Sequence, residues 1–344
     1  MADGTPQGIE PNMNRPRLRS ALLFTLVYVI IFMVAQIIAG LMIMGSIVTN
    51  RAVRAASAET LDLADESAMT EFMAHTFETQ LPLALPWITI VGFTAAVLIC
   101  AFIVKKRGFS LRKFAGLNPA RPTVLLFSLM LGIGLSLSFN SVLALPGLEF
   151  LNDPATIEAQ AMLMGSIFMA IAASTIVPIA EEIIFRGFMM NELRRTVSLG
   201  PSIVFSSVVF GVLHGTAAWI LIATLLGLIF AWVALRTRSV YASILTHVGV
   251  NATSFTMVWL TGDTLQILIL SIAGGTIILV GSTILLFRQT QPISEIEPPP
   301  EPVAAIVAPP TANSFKHPIA DANDSDNSSS DNDEDVPRNP WIQS

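Results

Sequence analysis

Charge is the scarcest commodity in this sequence. Of 344 residues only 13% are Asp, Glu, Lys or Arg, while 53% are hydrophobic and the mean hydropathy is +0.65. A water-soluble domain carries about 25% charged residues, so a chain this poor in charge cannot clothe a water-facing surface, although it can clothe a lipid-facing one. Cysteine is rarer still. The single Cys100 excludes an intrachain disulfide framework. There are four histidines, His75, His214, His247 and His317, so any chemistry that needs imidazole has few places to happen. No repeat of 20–50 residues runs along the chain, and no cleavable signal peptide is evident. The first apolar run, 21–48, exceeds the length of a signal core and lacks a small-residue cleavage site, so it is expected to stay as an anchor.

What the chain has instead is long apolar runs. A bilayer core about 30 Å thick needs roughly 20 apolar residues in helical form. Eight stretches qualify, near 21–48, 81–104, 123–147, 161–190, 200–219, 220–235, 240–260 and 265–287. The fifth and sixth are short and meet near Trp219, so one of them is expected to tilt or re-enter. The fold class is therefore all-α, a polytopic transmembrane helical bundle of about eight spans. Four sequence regions follow. A short N-terminus covers 1–20. N-terminal spans with an acidic outer loop and a basic inner link cover 21–122. A membrane core covers 123–288, and a tail covers 289–344.

The tail, rich in Pro and then in Asp, Asn and Ser, carries acidic residues from Glu295 to Asp335 against only Lys316 and Arg338. It is expected to be disordered, because it cannot bury enough apolar surface to offset ordering entropy. Basic residues gather before the first span (Arg15, Arg17, Arg19) and between the second and third (Lys105, Lys106, Arg107, Arg112, Lys113, Arg121). They gather again after the fourth (Arg194, Arg195), sixth (Arg236, Arg238) and eighth (Arg288). With eight spans all of these fall on one side, which the positive-inside rule makes cytoplasmic. Both termini are thus expected in the cytoplasm. Glu59 to Glu78, Glu149, Asp153, Glu158 and Asp263 face the other side, with Arg51 and Arg54 as exceptions. The link Lys105–Arg121 is expected to touch anionic lipid. Trp87, Trp219 and Trp259 are expected in the interfacial belt. Nothing points to nucleic acid.

Ionisable groups inside a membrane cost at least about 2.5–3.5 kcal/mol each and need partners. The first three spans have none. The fourth holds Glu181, Glu182 and Arg186, the fifth His214, and the seventh His247 and Asn251. At about 1.5 Å per residue, Glu181, His214 and Asn251 all lie roughly 20 Å from the basic boundary, and His247 roughly 14 Å. One acid, two imidazoles and a carboxamide thus converge on one layer. His247 and Asn251, four apart, share a helix face that Ser243 extends. Glu182 and Arg186, also four apart, are expected to pair. Gly211 and Gly215 flank His214 in a small-xxx-small pattern that admits a neighbouring helix. Phe210 is expected beside His214. Pro178 is expected to kink the fourth span.

Such a set permits amide hydrolysis. A buried carboxylate, Glu181, can serve as general base for a water. His214 can orient that water or protonate the leaving amine. His247 and Asn251 are suited to an oxyanion hole. No Ser or Cys stands out as a nucleophile. A divalent metal such as zinc, held by Glu181, His214 and His247, is one variant, although no H-E-x-x-H is present, and a site without metal is equally open.

E-E-x-x-x-R at Glu181–Arg186, F-x-x-x-H at Phe210–His214 and H-x-x-x-N at His247–Asn251 resemble the three motifs of the CPBP intramembrane protease family, which includes the type II CAAX prenyl proteases and relatives linked to bacteriocin self-immunity. The resemblance covers about residues 120–265. It implies a membrane-embedded endopeptidase in which Glu181 and His214 activate water, His247 and Asn251 hold the oxyanion, and Glu182 and Arg186 support them. It also implies a peptide or protein substrate, membrane-anchored or lipidated ones included. Two other functions stay open: a non-proteolytic scaffold or immunity protein of the same fold, and a proton-coupled transporter, for which no convincing inverted repeat is found.

Overall fold

The computed structural model describes residues 18–147, 166–260, 265–293 and 302, with side chains omitted at 258–260. Arg15, Arg17, Glu149, Asp153, Glu158, Asp263, His317, the side chain of Trp259 and nearly all of the tail lie outside the described residues. Among the described residues there is no strand. The chain forms α1 (Leu18–Ser57), α2 (Glu66–Lys106), a short α3 (Leu111–Phe114), α4 (Pro122–Leu143), α5 (Ile167–Arg194), α6 (Leu199–Val212), α7 (Ala217–Thr237), α8 (Val240–Leu260) and α9 (Leu265–Gln289). Each of the eight apolar stretches is thus represented by one helix. Six are long and apolar enough to cross a membrane: α1, α2, α4, α5, α7 and α9. The molecule is a polytopic helical membrane protein.

Several boundaries move. Helices α1 and α2, 40 and 41 residues long, are about 60 Å each at 1.5 Å per residue, twice the hydrocarbon thickness. They extend as a helical hairpin beyond their apolar cores, so most of the acidic outer segment, including His75, is helix rather than loop. Asp65 caps α2: its carboxylate accepts from the Ser67 hydroxyl and from the Ala68 and Ser67 backbone N–H groups, which hold it below the usual carboxylate range. Helix α6 stops at Val212, after 14 residues, a rise of about 21 Å that is too short to span. It turns at Leu213–Thr216 and returns as α7. Gly215 makes that turn with φ +95°, a conformation for which glycine is suited. Its role is the turn and not helix packing. Gly211 does pack: a methyl group there would strike the Thr224 side chain and the Ile220 carbonyl of α7.

Helix α5 is the axle of the bundle. It touches α1, α2, α6, α7 and α8, and 56% of its apolar window is buried against 17–39% for the other five spans. Helix α4 lies between α8 and α9. These three helices approach closely because Gly132 and Gly134 of α4, Gly249 of α8 and Gly275 of α9 present bare backbone to one another.

The basic ends meet at one end of the bundle. Arg107 makes a two-pronged ion pair with buried Glu192 at the end of α5, 2.8 and 2.9 Å, and reaches the Tyr28 hydroxyl of α1 at 3.1 Å. Arg195 adds a second cation to Glu192 at 3.3 Å. Asn118 donates to the Arg238 carbonyl, Ser239 donates to that of Asn118, and Arg236 donates to the Thr290 hydroxyl. The ends of α2, α5, α7 and α9 therefore share one face with the starts of α4 and α8, as the charge pattern requires.

Candidate active site

The site begins with a proline. Pro178 has no N–H and its ring crowds the carbonyl four residues earlier. In place of a simple kink, α5 widens on both sides of the glutamates, with π-helical turns at Ala172–Ile176 and Ile183–Met189. The Val177 N–H bonds to the carbonyl of Ala172. The Ala173 carbonyl, which α-helical pairing would give to Val177, is released, and Asn251 Nδ2 donates to it at 3.0 Å. The irregular backbone of α5 thus fixes one candidate site side chain of α8. Such π turns recur at functional sites.

The straight segment between them, Val177–Glu182, presents the two glutamates. Glu182 is fully buried and saturated with donors. Its Oε1 accepts from Arg186 Nη1 at 2.9 Å and from His247 Nδ1 at 3.1 Å, and its Oε2 accepts from the Ser243 hydroxyl at 2.5 Å. The expected pairing of Glu182 with Arg186 is present and is joined by two groups from α8. Arg186, equally buried, donates through Nη2 to the Gly227 carbonyl at 3.0 Å and lies 4.4 Å from the centroid of the Phe210 ring.

Glu181, 7% exposed, does not face lipid. Its Oε2 lies 3.8 Å from Nε2 of His247. A carboxylate only accepts, so the His247 nitrogen bonded to Glu182 carries a proton and Nε2 is the atom turned toward Glu181. The ring is held by stacking on Phe230, centroids 4.4 Å apart. His214 lies in the turn after α6, not inside a span as the apolar pattern suggested. Its Nδ1 bonds the Phe210 carbonyl at 2.7 Å, and its ring centroid lies 4.6 Å from that of Phe210. Since a carbonyl only accepts, Nδ1 is the protonated nitrogen and Nε2 of the neutral ring is an acceptor.

Glu181, His214, His247 and Asn251 all line one cavity of about 700 Å³. Its wall is otherwise largely apolar, with Phe93, Phe139, Leu226 and Phe255 among the contributors. Trp219, expected in an interfacial belt, also lines this cavity, whereas Trp87 is exposed on the outer face of α2. Polar residues that the sequence had not singled out join the wall: Thr89 of α2, and Ser136 and Asn140 of α4 with Ser254 of α8. Ser254 continues the stripe Ser243, His247, Asn251 along one face of α8, and its spacing could have revealed it.

Among the described residues no three His, Cys, Asp or Glu side chains assemble as a ligand set for one metal ion. The Nδ1 atoms of both imidazoles are committed to Glu182 and Phe210. Each Nε2 is left free, as in metal-bound imidazoles whose second nitrogen is held by a carboxylate or carbonyl, so these bonds do not set the donors against zinc. The three groups are not gathered as a ligand set, and no step below passes through a metal.

Residues 163–253 match the family model described as type II CAAX prenyl endopeptidase Rce1-like. A Bacillus subtilis (strain 168) protein named "Putative membrane peptidase YdiL" is 34% identical over 83 residues, 24% of this chain and 34% of that protein, so the match spans about a third of the curated relative. No solved structure matches. Every motif residue of the site, from Glu181 to Asn251, falls within the matched segment, which is similar to the Rce1-like type II CAAX prenyl endopeptidases.

Proposed function

We propose that the protein is an intramembrane endopeptidase that cleaves a peptide bond by direct attack of water. One observation carries this reading: a buried carboxylate, Glu181, stands 3.8 Å from Nε2 of His247 in a cavity that His214 and Asn251 also line. The family match and the similarity to a protein named as a membrane peptidase support it.

Glu181 takes one proton from a water while Nε2 of His214 accepts a hydrogen bond from the other hydrogen. The water oxygen bonds to the scissile carbonyl carbon, and the electron pair of the C=O moves onto oxygen. Asn251, held at Ala173, has a second Nδ2 hydrogen for that oxyanion. His247 donates from Nε2 when it is an imidazolium, with Glu182 as the counter-charge at Nδ1. Collapse breaks the C–N bond, and the proton on Glu181 passes to the leaving amine. The products are a carboxyl group and an amine, and the enzyme is regenerated.

The substrate is a peptide or protein that reaches the cavity through the bilayer, including lipid-anchored ones. The positive-inside rule supports a cytoplasmic orientation for the end of the bundle that gathers Arg107, Arg112, Lys113 and Arg236, and with it cytoplasmic termini. The test is to incubate purified protein in lipid with a peptide panel that includes prenylated C-terminal CaaX sequences, and to identify products by mass spectrometry. Cleavage by the wild type that is lost in Glu181→Gln supports the reading. Equal cleavage by both, or by neither, overturns it. Activity retained in chelator supports the metal-free route, and activity lost in chelator and restored by zinc would overturn it.

A further inference from the structure

The wall of the cavity contributed by α4 carries a second polar group for which the chemistry above has no use. Asn140 donates one Nδ2 hydrogen to the Ser136 hydroxyl at 2.8 Å and the other to the Ser254 hydroxyl at 2.9 Å. Ser254 gives its own hydrogen to the Val250 carbonyl at 3.0 Å, so the 2.9 Å contact between the two hydroxyls is donated by Ser136. Every donor in this trio is spent on another atom of the protein. One strong acceptor, Asn140 Oδ1, has no donor among the described residues, and Asn140, Ser136 and Ser254 all line the cavity that contains Glu181.

A carboxamide locked at its nitrogen end presents its oxygen in one fixed direction. In a cavity within the membrane, a bound peptide meets mostly apolar wall, and each backbone N–H that it brings in needs an acceptor there. Ser254 lies seven residues beyond His247 on the same helix, roughly 10 Å along its axis. An extended peptide advances about 3.3 Å per residue, so that offset corresponds to about three residues. We propose that Asn140, oriented by Ser136 and Ser254, is a positioning residue whose Oδ1 accepts one backbone N–H of a bound peptide, about three residues from the bond held at Glu181. The proposal rests on reading the cavity as a peptide site.

The full chain carrying Glu181→Gln, reconstituted in nanodiscs, is titrated with a palmitoylated Ala/Ser decapeptide in which a single N-methyl group is moved from amide to amide. N-methylation at one position should weaken binding about tenfold, the effect of one hydrogen bond lost in an apolar site, and the same peptide should bind with no extra loss when Asn140→Leu is added. A merely structural Asn140 would lower binding of all peptides alike and would not erase one position. Ser254→Ala, which unlocks the amide without enlarging the bundle, should show the same position with a smaller penalty, and covers the case in which Asn140→Leu does not fold. Equal position profiles with and without Asn140, or no binding of any peptide, overturn the proposal. Cleavage of the same peptides by the wild type is scored separately. Binding that depends on Asn140 without cleavage that depends on Glu181 upholds the subsite and removes the peptidase. The opposite pattern removes the subsite alone.

Discussion

His247 Nδ1 sits 3.1 Å from Glu182 Oε1, and this contact sets the direction of the opposite ring nitrogen. The second glutamate of the motif is therefore an orienting group and the first is the one that meets the cavity. The two adjacent residues diverge because Glu182 is saturated by Arg186, Ser243 and His247, whereas Glu181 has no such ties.

Substituting Glu182→Gln should be more damaging to stability than its conservative appearance suggests. It leaves the guanidinium of Arg186, fully buried between Phe210 and Phe230, without its hydrogen-bonded counter-charge, at a cost of about 3–5 kcal/mol. The double substitution Glu182→Leu with Arg186→Leu should recover most of that stability but not activity. Thermal unfolding in detergent checks both. A Glu182→Gln protein as stable as the wild type would show that the pair does not anchor α5.

At position 247 an amide replacement should separate orientation from chemistry. His247→Asn puts an amide where Nδ1 was, so it can keep the bond to Glu182 but has nothing at the Nε2 position. The expected outcome is a fold close to wild type in stability and a loss of about 10²–10³ in kcat, the usual effect of removing one oxyanion donor. Unchanged kcat would assign the oxyanion to other groups.

Gly132→Ala should hurt both stability and turnover from a distance. The added methyl would collide with the Thr246 carbonyl of α8, one residue before His247. Overpacking of this kind costs about 1–3 kcal/mol, and relief requires α8 to move away from α4 and carry His247 with it. Gly45→Ala in α1, where nothing lies within 4 Å, is the control and should be neutral or slightly stabilising, since alanine favours helix over glycine. Parallel melting curves and rates on the two variants decide it.

The sequence disclosed the parts of this molecule whose partners are close in the chain. Apolar runs marked each long helix, and the i,i+4 spacing of Glu182 with Arg186 and of His247 with Asn251 showed which groups share a face. What it hid depends on distant partners or on backbone detail. Glu192 lies just beyond the apolar run 161–190, and nothing nearby in the chain marks it as buried, because its partner Arg107 is 85 positions away. That His214 lies outside a helix was hidden because the turn at Leu213–Thr216 does not interrupt the apolar run. The π turns of α5 have no signal beyond Pro178. Asn140 and Ser136 escaped notice because small neutral side chains are inexpensive in membrane helices, where a hydroxyl can bond the carbonyl four residues back, as Ser128 does to Val124.

The most direct test of the account is a double-mutant cycle in kcat/KM between Glu181→Gln and His214→Ala, measured on one peptide that the wild type cleaves. If both residues act on the same water, each single variant should lose about 10³-fold or more, and the double variant should lose little beyond the worse single one, since members of one catalytic unit are not additive. Losses that multiply, or cleavage that survives both substitutions, would contradict a single water-activating site in the cavity.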